Sequence, residues 1–153
     1  MKVEDFIVKF RAAVFDHSVP PFWSGEEIVS YLNEAAQEAC ERARLIEDRS
    51  VSLTTVLGQD TYNLHPSVFE IKRLTFRGRP LDETSVEELD CDSPGWESRS
   101  GVPRCFIFEQ SSGVQPPKVR LVPTPTMAEP ISLTVYRGPM LCLMAGSPTD
   151  QPE

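Results

Sequence analysis

The sequence predicts an α+β fold: N-terminal antiparallel helices forming a partial helical bundle, then a β-rich antiparallel sheet of sandwich or barrel-like form. Three observations predict it. Apolar residues recur at helical spacing through the first third of the 153 residues and alternate at strand spacing beyond it. Ten of the 14 prolines lie after Asp90, which excludes long helices there. Hydrophobic residues make up 40% and charged residues 25%, the balance of a folded globular chain.

The first helix covers about residues 3–15, where Val3, Phe6, Ile7, Phe10 and Val14 fall on one face. Pro20-Pro21 ends it and sets up a tight link. A second helix is expected from about residue 25 to about residue 46. Ser24 is a good N-cap with Glu27 three residues on, the signature of a capping box. Trp23 and Ile28 flank that turn at the spacing of a hydrophobic staple. Ile28, Leu32, Ala35, Ala39 and Ala43 mark its apolar face, widened by Val29, Ala36 and Ile46, and the small alanines allow close approach to another helix. Glu26, Glu27, Glu34, Glu38, Glu41 and Glu47 make the opposite face acidic, a solvated face first and a partner surface second.

Strands follow. Residues 51–56 alternate apolar and hydroxyl side chains, and Gly58-Gln59-Asp60 turns them into a strand at 61–64. A strand at about 71–77 meets a turn at Gly78, with Leu81 beyond it. Residues 85–89 form a single helical turn with their own Ser-x-x-Glu box. Further strands fall near 104–110, 118–122 and 131–137; in the last, Ile131, Leu133 and Val135 share a face. The organisation is therefore a helical part, 1–48, a β-rich part, 49–139, and a C-terminal tail, 140–153, whose end "GSPTDQPE" is expected to be disordered.

Composition narrows the function. No apolar run reaches the roughly 18–20 residues of a membrane span. "MKVEDFIVKF" lacks the basic start and continuous apolar core of a signal peptide, so synthesis in the cytoplasm is expected. A net charge of −8 leaves little basic surface for sequence-independent DNA binding. Cys40, Cys91, Cys105 and Cys142 form no CxxC pair and stand apart from His17 and His65, which favours free thiols over zinc. There is no phosphate-binding loop and no nucleophile–base pair, and each histidine is alone. Asp90, Asp92 and Ser93 make a thin version of a cation loop, and a solvated acidic face suits them better. No catalytic residue, metal or cofactor is expected.

One charge pattern is more informative. Lys72, Arg73, Arg77 and Arg79 form a block without acids; Asp82, Glu83, Glu87, Glu88, Asp90, Asp92 and Glu97 follow as a block without bases. The blocks can pair within the chain, or with the opposite block of a neighbouring copy in a heterologous, ring-generating contact. Lys72, Arg73, Arg77, Arg79, Glu87, Glu88 and Asp90 are the candidate subunit interface. In "LDCDSPGWESRSGVPRCFIFEQ", Pro94-Gly95 is a turn that returns Trp96 to the sheet as an anchor, and Pro103 fixes the start of the next strand. Sugar stacking on Trp96 is the alternative, and would make the chain a β-rich carbohydrate- or peptide-binding module.

The order of motifs resembles a known family. "WSGEEIVSYLNEA" opens a helix; "EIKRLTFRGRPL", "SVEELD", "PGW", "GVPRCFIFEQ", "VRLVPTP" and "LTVYRGP" follow in turn. Over residues 22–139 this is similar to the phage head-to-tail adaptor (connector) family, which includes the podovirus tail tubular protein A. The resemblance implies a helical bundle carrying a β-rich insertion and a homo-oligomeric ring of roughly a dozen copies, a dodecamer. It implies a virion protein of the neck, beneath the portal, that extends the DNA channel and receives the tail or nozzle. The encapsidated DNA would pass without specific binding. Members continue past the final strand into another long helix, so residues 140–153 read as the lead-in to a helix missing here.

Overall fold

The structure, a computed structural model, describes residues 2–144. Helix α1 (Val3–Ala13) and helix α2 (Gly25–Ala43) form a hairpin whose link is organised by Asp16. The Asp16 carboxylate accepts hydrogen bonds from the Ser18 hydroxyl (2.7 Å) and from the backbone N–H groups of Phe22 (3.1 Å) and Trp23 (3.2 Å). Those bonds hold its pKa down at about 2, with the Ser18 hydroxyl the largest cause. Ser24 caps α2 reciprocally with Glu27, as the sequence predicts. Trp23 meets Tyr31 edge-on, with ring centroids 6.0 Å apart.

Two helical expectations need correction. α2 ends at Ala43, not near Ile46, because Arg44 takes a left-handed conformation (φ 50°) and Ile46 begins the first strand. The buried stripe of α2 is Ile28, Val29 and Cys40, with Leu32 and Ala36 half-buried; Ala35, Ala39 and Ala43 are exposed. On α1, Val3 is buried, Phe6, Ile7 and Phe10 are half-buried, and Val14 lies past the helix end and is exposed.

The strands are β1 (Ile46–Thr54), β2 (Thr61–Asn63), β3 (Val68–Phe76), β4 (Arg79–Glu83), β5 (Ser100–Gly101), β6 (Cys105–Glu109), β7 (Lys118–Val122), β8 (Thr124–Pro125) and β9 (Pro130–Arg137); a short helix, α3 (Val86–Asp92), joins β4 to β6. Seven of them form one curled, half-barrel sheet in the order β1-β9-β3-β4-β6-β7-β2. All neighbours are antiparallel except β4 and β6. β5 and β8 form a separate parallel pair. The concave face carries the main core: Leu74, Phe76, Ile131, Leu133 and Val135 from one half meet Tyr62, Phe106, Val119 and Leu121 from the other. Ile131, Leu133 and Val135 are buried on a shared face, as their alternation predicts.

Arg77 (φ 51°) and Gly78 (φ 76°) form the two-residue turn between β3 and β4, the positive-φ geometry that suits a tight hairpin. The parallel β4–β6 pair cannot be joined that way and needs a crossover, which α3 and the Trp96 turn provide. Gly138, just past β9, donates its N–H to the Ser67 carbonyl (2.8 Å), and Leu143 exchanges two 2.9 Å hydrogen bonds with the Asn33 side chain on α2. The "GSPTDQPE" segment lies outside the described residues. No helix among the described residues is long and apolar enough to cross a membrane.

Candidate functional site

The two charged blocks do not neutralise each other. Lys72 pairs with Glu47 of β1 (2.7 Å), and Arg77 pairs with Glu129 ahead of β9. Arg73 and Arg79 are exposed and make no ion pair with any described residue. On the acidic side, Glu87 is exposed and likewise unpaired, Glu88 accepts the Thr84 hydroxyl (2.8 Å), and Asp90 accepts the Trp96 indole N–H (2.8 Å). Ser85 caps α3 through Glu88 N–H at 3.2 Å, but the return half of its predicted box is absent, because the Glu88 carboxylate is turned to Thr84.

Register explains why Lys72 is taken. Glu47 on β1 lies opposite Tyr136 on β9, which lies opposite Glu70 on β3. Lys72 and Arg44 approach the Tyr136 ring, 5.5 and 5.7 Å from its centroid, while Arg44 pairs with Glu70 (2.7 Å). Glu47, with help from Tyr136, holds Lys72 above its ordinary pKa, and hydrogen bonds from Lys72 and then Arg49 hold Glu47 below the usual carboxylate range.

Strand direction and register place the charges that remain. β4 and β6 are parallel but staggered: Arg79 opens β4 and Glu83 closes it, while Asp82 lies opposite Cys105 and Glu83 opposite Phe106, so Arg104 stands level with the middle of β4 and Glu109 closes β6 beyond it. α3 starts just past Glu83 and the chain returns through Arg99 to Arg104; burial, and then the charges of Asp82 and Glu88, raise the Cys105 pKa, so acids as well as arginines surround the start of β6. Arg99 and Arg104 do not figure in the candidate set read from the sequence; they lie past the last acid of the second block, outside both charged runs.

Trp96 is 4% exposed and packs with Leu89, Ile107 and Val122 on the outer face of β6 and β7. The Arg120 guanidinium stands over its ring, 4.6 Å from the centroid, and is fixed by Asp60 (2.8 Å) and Glu97 (3.4 Å). Burial pushes the Asp60 carboxyl up, but hydrogen bonds from Thr61 and Arg120 outweigh it and leave it below the usual range. Trp96 is an anchor, as its turn predicts, and offers no open platform for a sugar ring. Beside it lies a groove of about 560 Å3 bordered by Arg99 and Arg104.

Among the described residues no group of three or more His, Cys, Asp or Glu side chains could hold a metal ion. His17 is exposed in the α1–α2 link. His65 is exposed beside β3, where its Nδ1 lies 2.7 Å from the Ser67 hydroxyl. Cys40 is buried, Cys105 half-buried, and Cys91 and Cys142 exposed, all as free thiols.

No curated protein matches the chain significantly. The family model for the SU10 adaptor protein matches residues 1–152. That match spans nearly the whole chain and makes the assignment: the chain belongs to the SU10 adaptor protein family, a family of phage head-to-tail adaptors.

Proposed function

We propose that this adaptor assembles as a closed homo-oligomeric ring beneath the portal, where it extends the DNA channel and receives the tail. The observation that carries this reading is unpaired charge of both signs around one strand pair. Arg79 opens β4 and Glu83 closes it, Arg104 precedes β6 and Glu87 lies on α3, and none of the four has an ion-pair partner among the described residues. A surface that leaves charges of both signs unpaired can satisfy them on its own copy in a head-to-tail contact. Such heterologous contacts close into a ring when the rotation permits. A ring of roughly a dozen copies, as in the adaptors this chain resembles, would repeat each weak contact as many times. The overall charge of −8 suits a channel wall that does not hold the passing genome. The role is mechanical, without catalysis or cofactor.

Sedimentation and negative-stain electron microscopy of the protein, alone and co-expressed with its portal, test the reading. Annular particles far above 17.2 kDa, seated on the portal, are expected. A protein that neither forms rings in either preparation nor enters portal-containing particles would contradict it.

A further inference from the structure

The groove beside Trp96 and the loop at the far end of the same strands are a recess and a projection on one strand pair. Leu89, Trp96, Cys105 and Val122 give the groove an apolar floor, and Arg99 and Arg104 stand at its rim; Asp90 holds the Trp96 indole, and Asp82 and Glu88 act on Cys105 without lining the groove. Arg99 reaches only the Pro94 carbonyl (3.2 Å), and Arg104 has no side-chain partner among the described residues. Cys105 opens β6 and Val122 closes β7, so the groove lies at one end of this antiparallel pair. At the other end the β6–β7 loop projects from the molecule. Val114 near its tip is 95% exposed, the loop closes on itself through a Ser111–Gln115 hydrogen bond (2.9 Å), and the surface beside it carries Glu83. A valine held in that position has no folding role within its own chain.

We propose that the Val114 loop of one copy seats in the Trp96 groove of the next, with Arg99 and Arg104 facing the acidic surface that flanks the loop. The occupant is a second copy because convex and concave partners lie at opposite ends of one rigid strand pair, which is the geometry of head-to-tail repetition. The groove has room for one apolar side chain and its flanking backbone. A contact of that size falls well below the roughly 1,000 Å2 of a stable pairwise interface, so it works by repetition around a ring and not as an isolated dimer. This inference rests on the ring reading and deepens it by naming the residues in contact.

Cysteine crosslinking tests it, because a thiol already lines the groove. In a chain carrying Cys40→Ala, Cys91→Ser and Cys142→Ser, so that Cys105 is the native thiol left, Val114→Cys is introduced and the protein is oxidised with copper–phenanthroline, both in purified rings and in particles. A disulfide to Cys105 of the same chain is excluded: Cys105 and Glu109 are already roughly 13 Å apart along β6, Val114 lies beyond, and a disulfide needs Cα atoms within about 7 Å. A ladder of covalent multimers is expected, reversed by reductant and lost when Cys105→Ser is added. Charge reversal of Arg99 and Arg104 to Glu should lower the crosslink yield. Dimers that persist with Cys105→Ser would mean loop-to-loop contact and would overturn the docking. Rings that form but yield no crosslink would overturn it while leaving the ring reading intact, and the absence of rings from both preparations would sink both.

Discussion

Ser24 holds the start of α2 from both sides: its hydroxyl accepts the Glu27 N–H at 3.2 Å, and its own N–H donates to the Glu27 carboxylate at 2.9 Å. Ser85 makes only the first of these bonds at α3. Ser24→Ala should therefore cost about 0.5–2 kcal/mol in denaturant unfolding and more than Ser85→Ala; the reverse order would mean the cap of α3 matters more. Thr55 shows what a sequence withholds at this scale. It reads as one more hydroxyl in an alternating strand, yet it is fully buried just past β1. Its hydroxyl reaches the carbonyls of Met127 (2.8 Å) and Glu129 (3.1 Å) and accepts the Glu129 N–H (2.8 Å), fastening the segment that carries the partner of Arg77. Only the approach of residues 127–129 from more than 70 positions away gives the hydroxyl this role. Thr55→Val keeps the shape but strands those groups, and should lower the unfolding free energy by about 1–3 kcal/mol. An unchanged denaturation midpoint would show that the groups find other partners.

Strands were legible wherever one face is buried and the other is not: β7, β9 and the β3–β4 hairpin fall where alternation and Gly78 put them. The start of β1 was hidden because Glu47 is satisfied by Lys72 from another strand and Arg49 by Glu47 along its own, and because the register shifts between Asp48 and Val51, which breaks the period of two. The α2 stripe was misread for a related reason. Two phases of the helix carry small apolar residues, and only the packing of α1 and the 138–144 segment selects between them. The parallel crossover through α3 has no local signal at all. Two carboxylates tie these elements together: Asp16 in the α1–α2 link, and Asp48, which accepts Ser50 hydrogen bonds and pairs Arg137 of β9 at 2.9 Å. Both are held at about 2 against an ordinary 3.8, Asp48 chiefly by Ser50 and then Arg137. A carboxyl depressed in the folded state stabilises above its ordinary value, and that contribution is lost as pH falls through the folded value. The melting temperature should thus drop between about pH 4 and pH 2. The double variant Asp16→Asn with Asp48→Asn should start lower at neutral pH and lose less over that interval. Parallel curves for parent and variant would assign the acid limb to other groups.

At the scale of the whole molecule, the sequence exposed the two charged blocks but not their fate, because pairing depends on register. Lys72 and Arg77 are drawn to Glu47 and Glu129 across the sheet, which leaves Arg73 and Arg79 as the free members of the basic block. If these two meet the acids of a neighbouring copy, Arg73→Glu with Arg79→Glu should prevent ring assembly. The isolated subunit should keep its melting temperature, since neither residue makes an ion pair within the described chain. Reversing Arg77 instead would break its pair with Glu129 and is the control for internal damage. Each exposed pair contributes only about 0–1 kcal/mol, but a ring repeats it at every junction. Salt screens such pairs over about 8–10 Å, so assembly of the parent should weaken as ionic strength rises. Glu87→Arg, which changes an acid without an internal partner, should partly restore assembly of the reversed variant. Sedimentation reads assembly and thermal melting reads folding. If the reversal leaves rings intact at every salt concentration, the unpaired charges are solvated, and the contacts that close the ring lie elsewhere.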